Sequence, residues 1–177
     1  MISASTLNSE LINKIAQDFA QATSLAVVVV NIHGDEISEL FNFTPFCQLM
    51  RQHPQHSSRC RMSDRCGGLE ASKTDALCIY RCHAGLTDFS IPLVIAGHLV
   101  GFVLCGQVRL SNDIELVDIL NVDDRWQDDP ALVQAFRDVP EMDYSRVIAS
   151  ADLLKLIVEN CLKKQLNFVV IKDNPPQ

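Results

Sequence analysis

Apolar positions change their period along the chain, and those changes divide it into elements. Leu7, Leu11, Ile12, Ile15, Ala16, Phe19 and Ala20 recur every three or four residues, which predicts a helix over 6–23 with one apolar face. Ser5 or Thr6 can cap its first turn. Leu25 to Ile32 is β-branched and nearly all apolar, as a buried strand is. His33-Gly34-Asp35 turns the chain, and Glu36 to Phe41 is expected to return as a second strand. Thr44-Pro45 opens a short helix, because proline suits the first helical position. His53-Pro54 ends it. Ser57 to Cys66 is polar and basic, helical or irregular. Gly67-Gly68 is expected to break or bend the chain before a further helical stretch from Leu69 to Thr74.

Leu77 to Cys82 reads as extended, and His83-Ala84-Gly85 as a turn. Asp88 to Ala96 and Leu99 to Leu110 are apolar runs that pair as a hairpin across Ala96-Gly97-His98. Pro92 suits an edge or a bulge, and Gly101 and Gly106 leave room for a close backbone or ligand. Ser111 is expected to cap a helix through Leu120. Asp129-Pro130 starts another that ends near Val139-Pro140. The last helix runs from about Asp143 to Phe168, with Val147, Ile148, Ala151, Leu154, Ile157, Val158, Cys161, Leu162 and Leu166 on its apolar side. A helix of that length serves either as a core element or as one that leaves the domain to pair with a second copy or a following domain. These elements form an α+β domain: four or five strands in an antiparallel sheet, helices on one side, and a long C-terminal helix. A helix, a buried strand, a Gly turn and a returning strand also open many sensor domains of the PAS and GAF type, which this arrangement resembles.

Charge and length narrow the possibilities. The chain has 177 residues, 47% of them hydrophobic, enough for one domain with a real core. With 22 acidic against 15 basic residues it carries a net charge of -7, which disfavours direct contact with a phosphate backbone. No apolar run approaches the roughly 18 residues that a membrane helix needs. The N-terminus lacks the pattern of a signal peptide, so a cytoplasmic protein with reduced thiols is expected. An odd count of 7 cysteines argues the same way. Asn174-Pro175-Pro176-Gln177 reads as the start of a linker. The expected organisation is a sensor over 1–170, and over 171–177 a linker towards a domain absent here.

The chemistry concentrates between Cys47 and Gln107. Cys47, Cys60, Cys66, Cys78 and Cys82 fall within 36 residues. Clustered thiols can hold zinc or an iron–sulfur cluster, although no Cys-x-x-Cys knuckle is present. Free cysteines are equally at home as small buried hydrophobes. Cys82-His83 pairs a thiol with a base in sequence, but neighbours on a strand point to opposite faces, and no acidic pair or phosphate loop accompanies them. An enzyme is not expected.

Phe46-Cys47, Arg59-Cys60, Tyr80-Arg81-Cys82-His83-Ala84-Gly85-Leu86-Thr87-Asp88, Ile91-Pro92, Gly101 and Gly106-Gln107 occur in the order and spacing of the PocR sensory domain family. The chain resembles that family over residues 7–168. The resemblance implies a PAS-like fold at the N-terminus of a bacterial signalling protein, binding a small hydrocarbon derivative. The family's namesake is an AraC-type activator of propanediol utilisation and cobalamin synthesis, with 1,2-propanediol as effector. A homodimer through the long C-terminal helix is expected, with DNA reached only through a further, C-terminal domain. A small diol needs a small cavity with apolar walls and a few hydrogen-bonding groups. The ligand-binding set is then Phe46, Cys47, Tyr80, Cys82, His83, Asp88 and Gln107, with Ile91, Leu93 and Phe102 as further walls. His83 also fits a structural histidine, Asp88 a turn cap, and Gln107 a strand-edge amide. The alternative is a metal or redox sensor, with Cys47, Cys60 and Cys82 converging and Cys66 as the fourth zinc or iron–sulfur ligand.

Overall fold

The computed structural model describes residues 9–74, 76–95 and 97–162. The expected stretches before residue 9 and after 162, including the linker over 171–177, lie outside them. Helix α1 (Ser9–Thr23) leads into strand β1 (Ala26–Asn31), then α2 (Pro45–Gln52) and α3 (Ser57–Ser72). Strands β2 (Cys78–Arg81), β3 (Thr87–Ile95) and β4 (His98–Leu110) follow. Next come a 3₁₀ turn (Arg125–Asp128), α4 (Pro130–Arg137), the short strand β5 (Glu141–Met142), and α5 (Tyr144–Ile157), which runs into a π turn (Val158–Leu162). The sheet order is β1-β4-β3-β2, antiparallel throughout, with β5 added parallel to the end of β4. The fold is α+β.

Alternation along the strands supplies a core on each side of the sheet. Val27, Val29, Phe89, Ile91, Leu93, Val103 and Cys105 face α1 and α5, meeting Ile12, Ala16, Phe19, Val147, Ala151 and Leu154. Ala26, Val28, Val30, Phe102 and Leu104 face the other way, with Phe43. A third cluster joins Phe46, Met50, Tyr80, Leu86, Trp126, Leu132 and Val139. The helices therefore cover both faces rather than the one expected, because β1, β3 and β4 bury apolar or small residues at nearly every position.

Three local expectations need correction. First, α3 runs straight through Gly67 and Gly68. A Cβ on Gly67 would lie 2.3 Å from the Tyr80 ring, and one on Gly68 would lie 2.2 Å from the Phe102 ring. The glycines let the helix lie directly on two aromatic rings, and the packing outweighs their poor helix propensity. Second, residues 36–41 form two isolated bridges to β1, Val30 to Glu36 and Val27 to Phe41, rather than a strand. The Ser38 hydroxyl takes the Val29 N–H at 2.8 Å, and Ile37 and Ser38 both donate to the Val29 carbonyl, which breaks the ladder. Third, the helix expected from Ser111 through Leu120 does not form. The Ser111 N–H extends the β5 pairing to the Met142 carbonyl, and 117–119 lies along the free edge of β2, exchanging hydrogen bonds with Arg81.

Candidate functional site

A cavity lies on the sheet face covered by α2 and α3, and four parts of the chain build it. Helix α2 contributes Phe46, Cys47, Met50 and Arg51, and α3 contributes Cys60, Ser63 and Asp64. The turn after β2 adds Cys82, His83 and Ala84, and the strands add Asp88 and Gln107. The cavity measures about 30 Å³ to the centres of water-sized spheres, room for roughly one or two waters or a ligand of a few heavy atoms. A second recess of about 20 Å³ shares Arg51, Asp64, Asp88 and Gln107 and runs beneath Phe43 and Leu104. An outer cleft bounded by Glu36, Leu40, Phe43, Gln48 and Arg61 also reaches Arg51.

Local sequence explains how these groups are held. Thr44 caps α2, its hydroxyl accepting the Cys47 N–H at 3.2 Å. The Thr44 N–H and hydroxyl both donate to Gln107 Oε1, at 2.9 and 3.2 Å. Phe46 anchors the same helix by edge contacts with Trp126 and Phe136, at 5.0 and 5.1 Å between ring centres. Gln107 is itself the extra residue of a β-bulge: Thr87 pairs with Val108 and Asp88 with Gly106. Its backbone is left-handed at φ +64°. Gly85, at φ +90°, closes the turn that presents His83, whose backbone N–H donates to the Ser63 hydroxyl at 3.2 Å.

The polar groups of the cavity are electrostatically unequal. Arg51 donates to Asp64 at 2.6 Å and to Glu36 at 3.1 Å, and lies against the Phe43 ring. Burial opposes the Arg51 charge, but Asp64 more than restores it. Among the described residues Asp88 has no ion-pair partner. Burial pushes its carboxyl up to about 7, against the pull of one backbone N–H, that of Gln107, at 2.8 Å. Asp88 keeps some accessible surface, and it lines both recesses. Burial also pushes His83 down to about 4, with Arg59 adding to the effect, so the ring is neutral at physiological pH. His83 Nε2 lies 3.3 Å from Cys60 Sγ, while its Nδ1 is buried without a partner among the described residues. The histidine pairs with Cys60, not with its sequence neighbour Cys82. Burial pushes the Cys60 thiol up to about 12 and raises Cys47 and Cys82 as well. These are thiols rather than thiolates, and an activated nucleophile needs the reverse.

Of the ligand-binding set expected from sequence, Phe46, Cys47, Cys82, His83, Asp88 and Gln107 converge on this one cavity. Tyr80 does not line it, since its ring is fully buried against Gly67. Of the further walls, Ile91 and Leu93 lie on the opposite sheet face with α1 and α5, and Phe102 packs on Gly68. Of the thiols considered for zinc or an iron–sulfur cluster, Cys47, Cys60 and Cys82 line the cavity and Cys66 does not. Among the described residues no three His, Cys, Asp or Glu side chains are grouped to hold a metal ion. Arg51, Ser63 and Asp64 were missed. The available signal was the run of small residues Ser63, Gly67 and Ala71 at four-residue spacing, which marks the buried face of an otherwise charged helix.

The comparisons with known proteins agree with the motif reading. A family described as a sensory domain found in PocR matches residues 5–166. The chain is 92% identical over 177 residues to the Regulatory protein PocR of Salmonella typhimurium (strain LT2), a match covering 100% of this chain and 58% of that protein. The chain thus spans well under two thirds of that relative. No solved structure matches. Among the described residues no helix is long and apolar enough to cross a membrane. With nearly its whole length matched to one family, the chain belongs to the PocR sensory domains.

Proposed function

We propose that the chain is the effector-sensing domain of a cytoplasmic transcription regulator, and that its effector is a small diol, 1,2-propanediol. The observation that carries this reading is the cavity under α2 and α3. Its size suits a few heavy atoms, Phe46, Met50 and Ala84 give apolar walls, and Asp88, Ser63 and His83 give polar contacts. That combination is what a small amphipathic alcohol requires.

A route out of the cavity follows from connectivity. Two residues after Gln107, Arg109 pairs with Glu141 of β5, and its guanidinium donates to the Val139 carbonyl at 3.1 Å. Met142 precedes Asp143, whose carboxylate caps α5 by accepting the Ser145 N–H at 2.8 Å. A ligand that favours one state of the Gln107 bulge thereby biases the start of α5, by no more than its differential affinity for the two states. Helix α5 then passes the difference to an AraC-type helix-turn-helix domain that follows in the longer regulator. Ile148, Leu153 and Leu156 on its outer side are exposed, and they support pairing with a second copy.

Titration calorimetry of the purified chain with 1,2-propanediol tests the reading. Saturable heat is expected at millimolar ligand. At ten times the dissociation constant the ligand stabilises the fold by about 1.4 kcal/mol, a rise in Tm of roughly 3–5 °C. No saturable heat and no shift in Tm would contradict it.

A further inference from the structure

Gln107 holds its side-chain amide in one orientation. The Thr44 backbone N–H donates to Oε1 at 2.9 Å, and the Thr44 hydroxyl donates to it at 3.2 Å. A backbone N–H can only donate, so the oxygen faces Thr44 and the NH2 faces away. The backbone N–H of Gln107 is taken by Asp88 Oδ1 at 2.8 Å, which fixes the residue in its bulge. Gln107 is 7% exposed, and it lines both the cavity and the recess beneath Phe43. Its Nε2 makes no hydrogen bond among the described residues, and unlike His83 Nδ1 it is not sealed from open space. Its two N–H groups therefore open onto the hollow space that Gln107 lines. Arg51, the charged donor on the same wall, is committed to Asp64 and Glu36.

We propose that the Gln107 side chain reads the occupant of the cavity and reports it to α2: Nε2 donates to an oxygen of the effector, Oε1 keeps the Thr44 N–H, and occupancy tightens the cap of α2. This rests on the sensing role proposed above, to which it gives a contact and a first relay. The NH2 and the carbonyl belong to one conjugated amide, so an acceptor placed at the nitrogen strengthens the oxygen as an acceptor in turn. Thr44 passes the change on. Its hydroxyl takes the Cys47 N–H and its backbone carbonyl takes the Gln48 N–H, both in the first turn of α2. The contact asks the effector for a lone pair on oxygen. A hydroxyl or a carbonyl oxygen meets it, and an alkane of the same length does not.

The test is NMR of the isotopically labelled wild type with 1,2-propanediol, read at the Gln107 side-chain NH2, which is assigned through bonds from its own Cβ and Cγ. The NH2 signals are expected to shift saturably, with the midpoint of the Ser63 and Ala84 backbone amides across the cavity. At ten times the dissociation constant, solvent exchange of the Thr44 N–H is expected to slow by up to roughly tenfold, beyond any slowing shared by amides of the α1 and α5 face. Calorimetry of Gln107→Met, which keeps the side-chain length and removes both amide groups, is expected to show roughly 10-fold or more weaker diol binding. Thermal melts check its fold, and should it not fold, the wild-type signals carry the test. If Ser63 and Ala84 respond while the Gln107 NH2 stays unmoved, or if Gln107→Met binds as the wild type does, the amide is not the contact, although the cavity remains an effector site. If the NH2 shifts and Thr44 exchange does not slow beyond the shared level, the relay to α2 is overturned. If no amide of the wild type responds, the sensing role itself fails and this inference with it.

Discussion

The Gln107 backbone N–H reaches Asp88 Oδ1 across 2.8 Å from a left-handed conformation at φ +64°. A residue with a β-carbon rarely holds that geometry, and where it does the surrounding structure imposes it. Here the imposition comes from both ends. Asp88 holds the Gln107 N–H, and Thr44 at the head of α2 holds the side-chain oxygen. One strained residue therefore ties β3, β4 and α2 together beside the cavity.

Substitution at Gln107 separates strain from tethering. Gln107→Ala and Gln107→Gly both leave the buried Thr44 N–H without its acceptor, at a cost of about 1–3 kcal/mol. Glycine also relieves the left-handed backbone, by about 1 kcal/mol. Denaturant melts are expected to rank wild type above Gln107→Gly, and Gln107→Gly above Gln107→Ala. Equal stability of the two variants would mean that the bulge stores no strain.

The glycines of α3 give a second expectation. Alanine normally favours a helix over glycine by about 1 kcal/mol. At Gly67 and Gly68 its Cβ would collide with the fully buried rings of Tyr80 and Phe102, so each Gly→Ala substitution is expected to destabilise by about 1–3 kcal/mol. Stabilisation by either would place α3 further from the sheet than described.

Tyr80 buries its hydroxyl without a partner among the described residues. Its removal takes away an unmet desolvation cost, so Tyr80→Phe is expected to hold or raise stability by up to about 1 kcal/mol. A loss greater than about 1 kcal/mol in equilibrium unfolding would show that the hydroxyl is engaged, and Tyr80 would return to the set of functional polar groups.

Asp88 and His83 make stability depend on pH in opposite directions. The folded-state pKa of Asp88 is raised to about 7, so the folded chain binds the extra proton. Its contribution is fully present below the ordinary carboxylate range and is lost as pH rises to about 7. The value for His83 is depressed to about 4, so its contribution is present above about 6.5 and is lost as pH falls towards 4. Between about pH 6.5 and 8 Asp88 dominates of the two. The stability of the wild type relative to Asp88→Asn is expected to fall as pH rises through that window, and unfolding free energies measured at half-unit steps check it. A flat difference would place the Asp88 carboxyl in contact with bulk water.

Much of the fold was legible because local signals and packing agree. Thr44-Pro45, Asp129-Pro130 and Asp143 each cap the helix that follows. The apolar runs over 88–95 and 99–110 pair as the antiparallel hairpin expected of them. Cys82, His83 and Gln107 were expected in the ligand-binding set through the family motif, and all three line the cavity. What escaped depended on distant partners. Gly67-Gly68 reads as a breaker until Tyr80 and Phe102 are known to lie beneath it. Ser111 reads as a cap until Met142 takes its N–H. Asp64 looks like one more solvated charge on a polar helix, and only the approach of Arg51 makes it a buried ion pair. Tyr80 and Cys66 failed to join the site for a related reason: nearness in sequence to the motif does not fix which way a strand or helix residue points.

The most direct test of the central claim, that the effector binds under α2 and α3, is an amide NMR titration of the isotopically labelled chain with 1,2-propanediol. Saturable shifts are expected at Cys47 to Arg51, Ser63, Asp64, Cys82 to Ala84, Asp88 and Gln107, with smaller ones at Glu141 to Ser145. Saturable shifts confined to the α1 and α5 face, with the cavity amides unmoved, would contradict it.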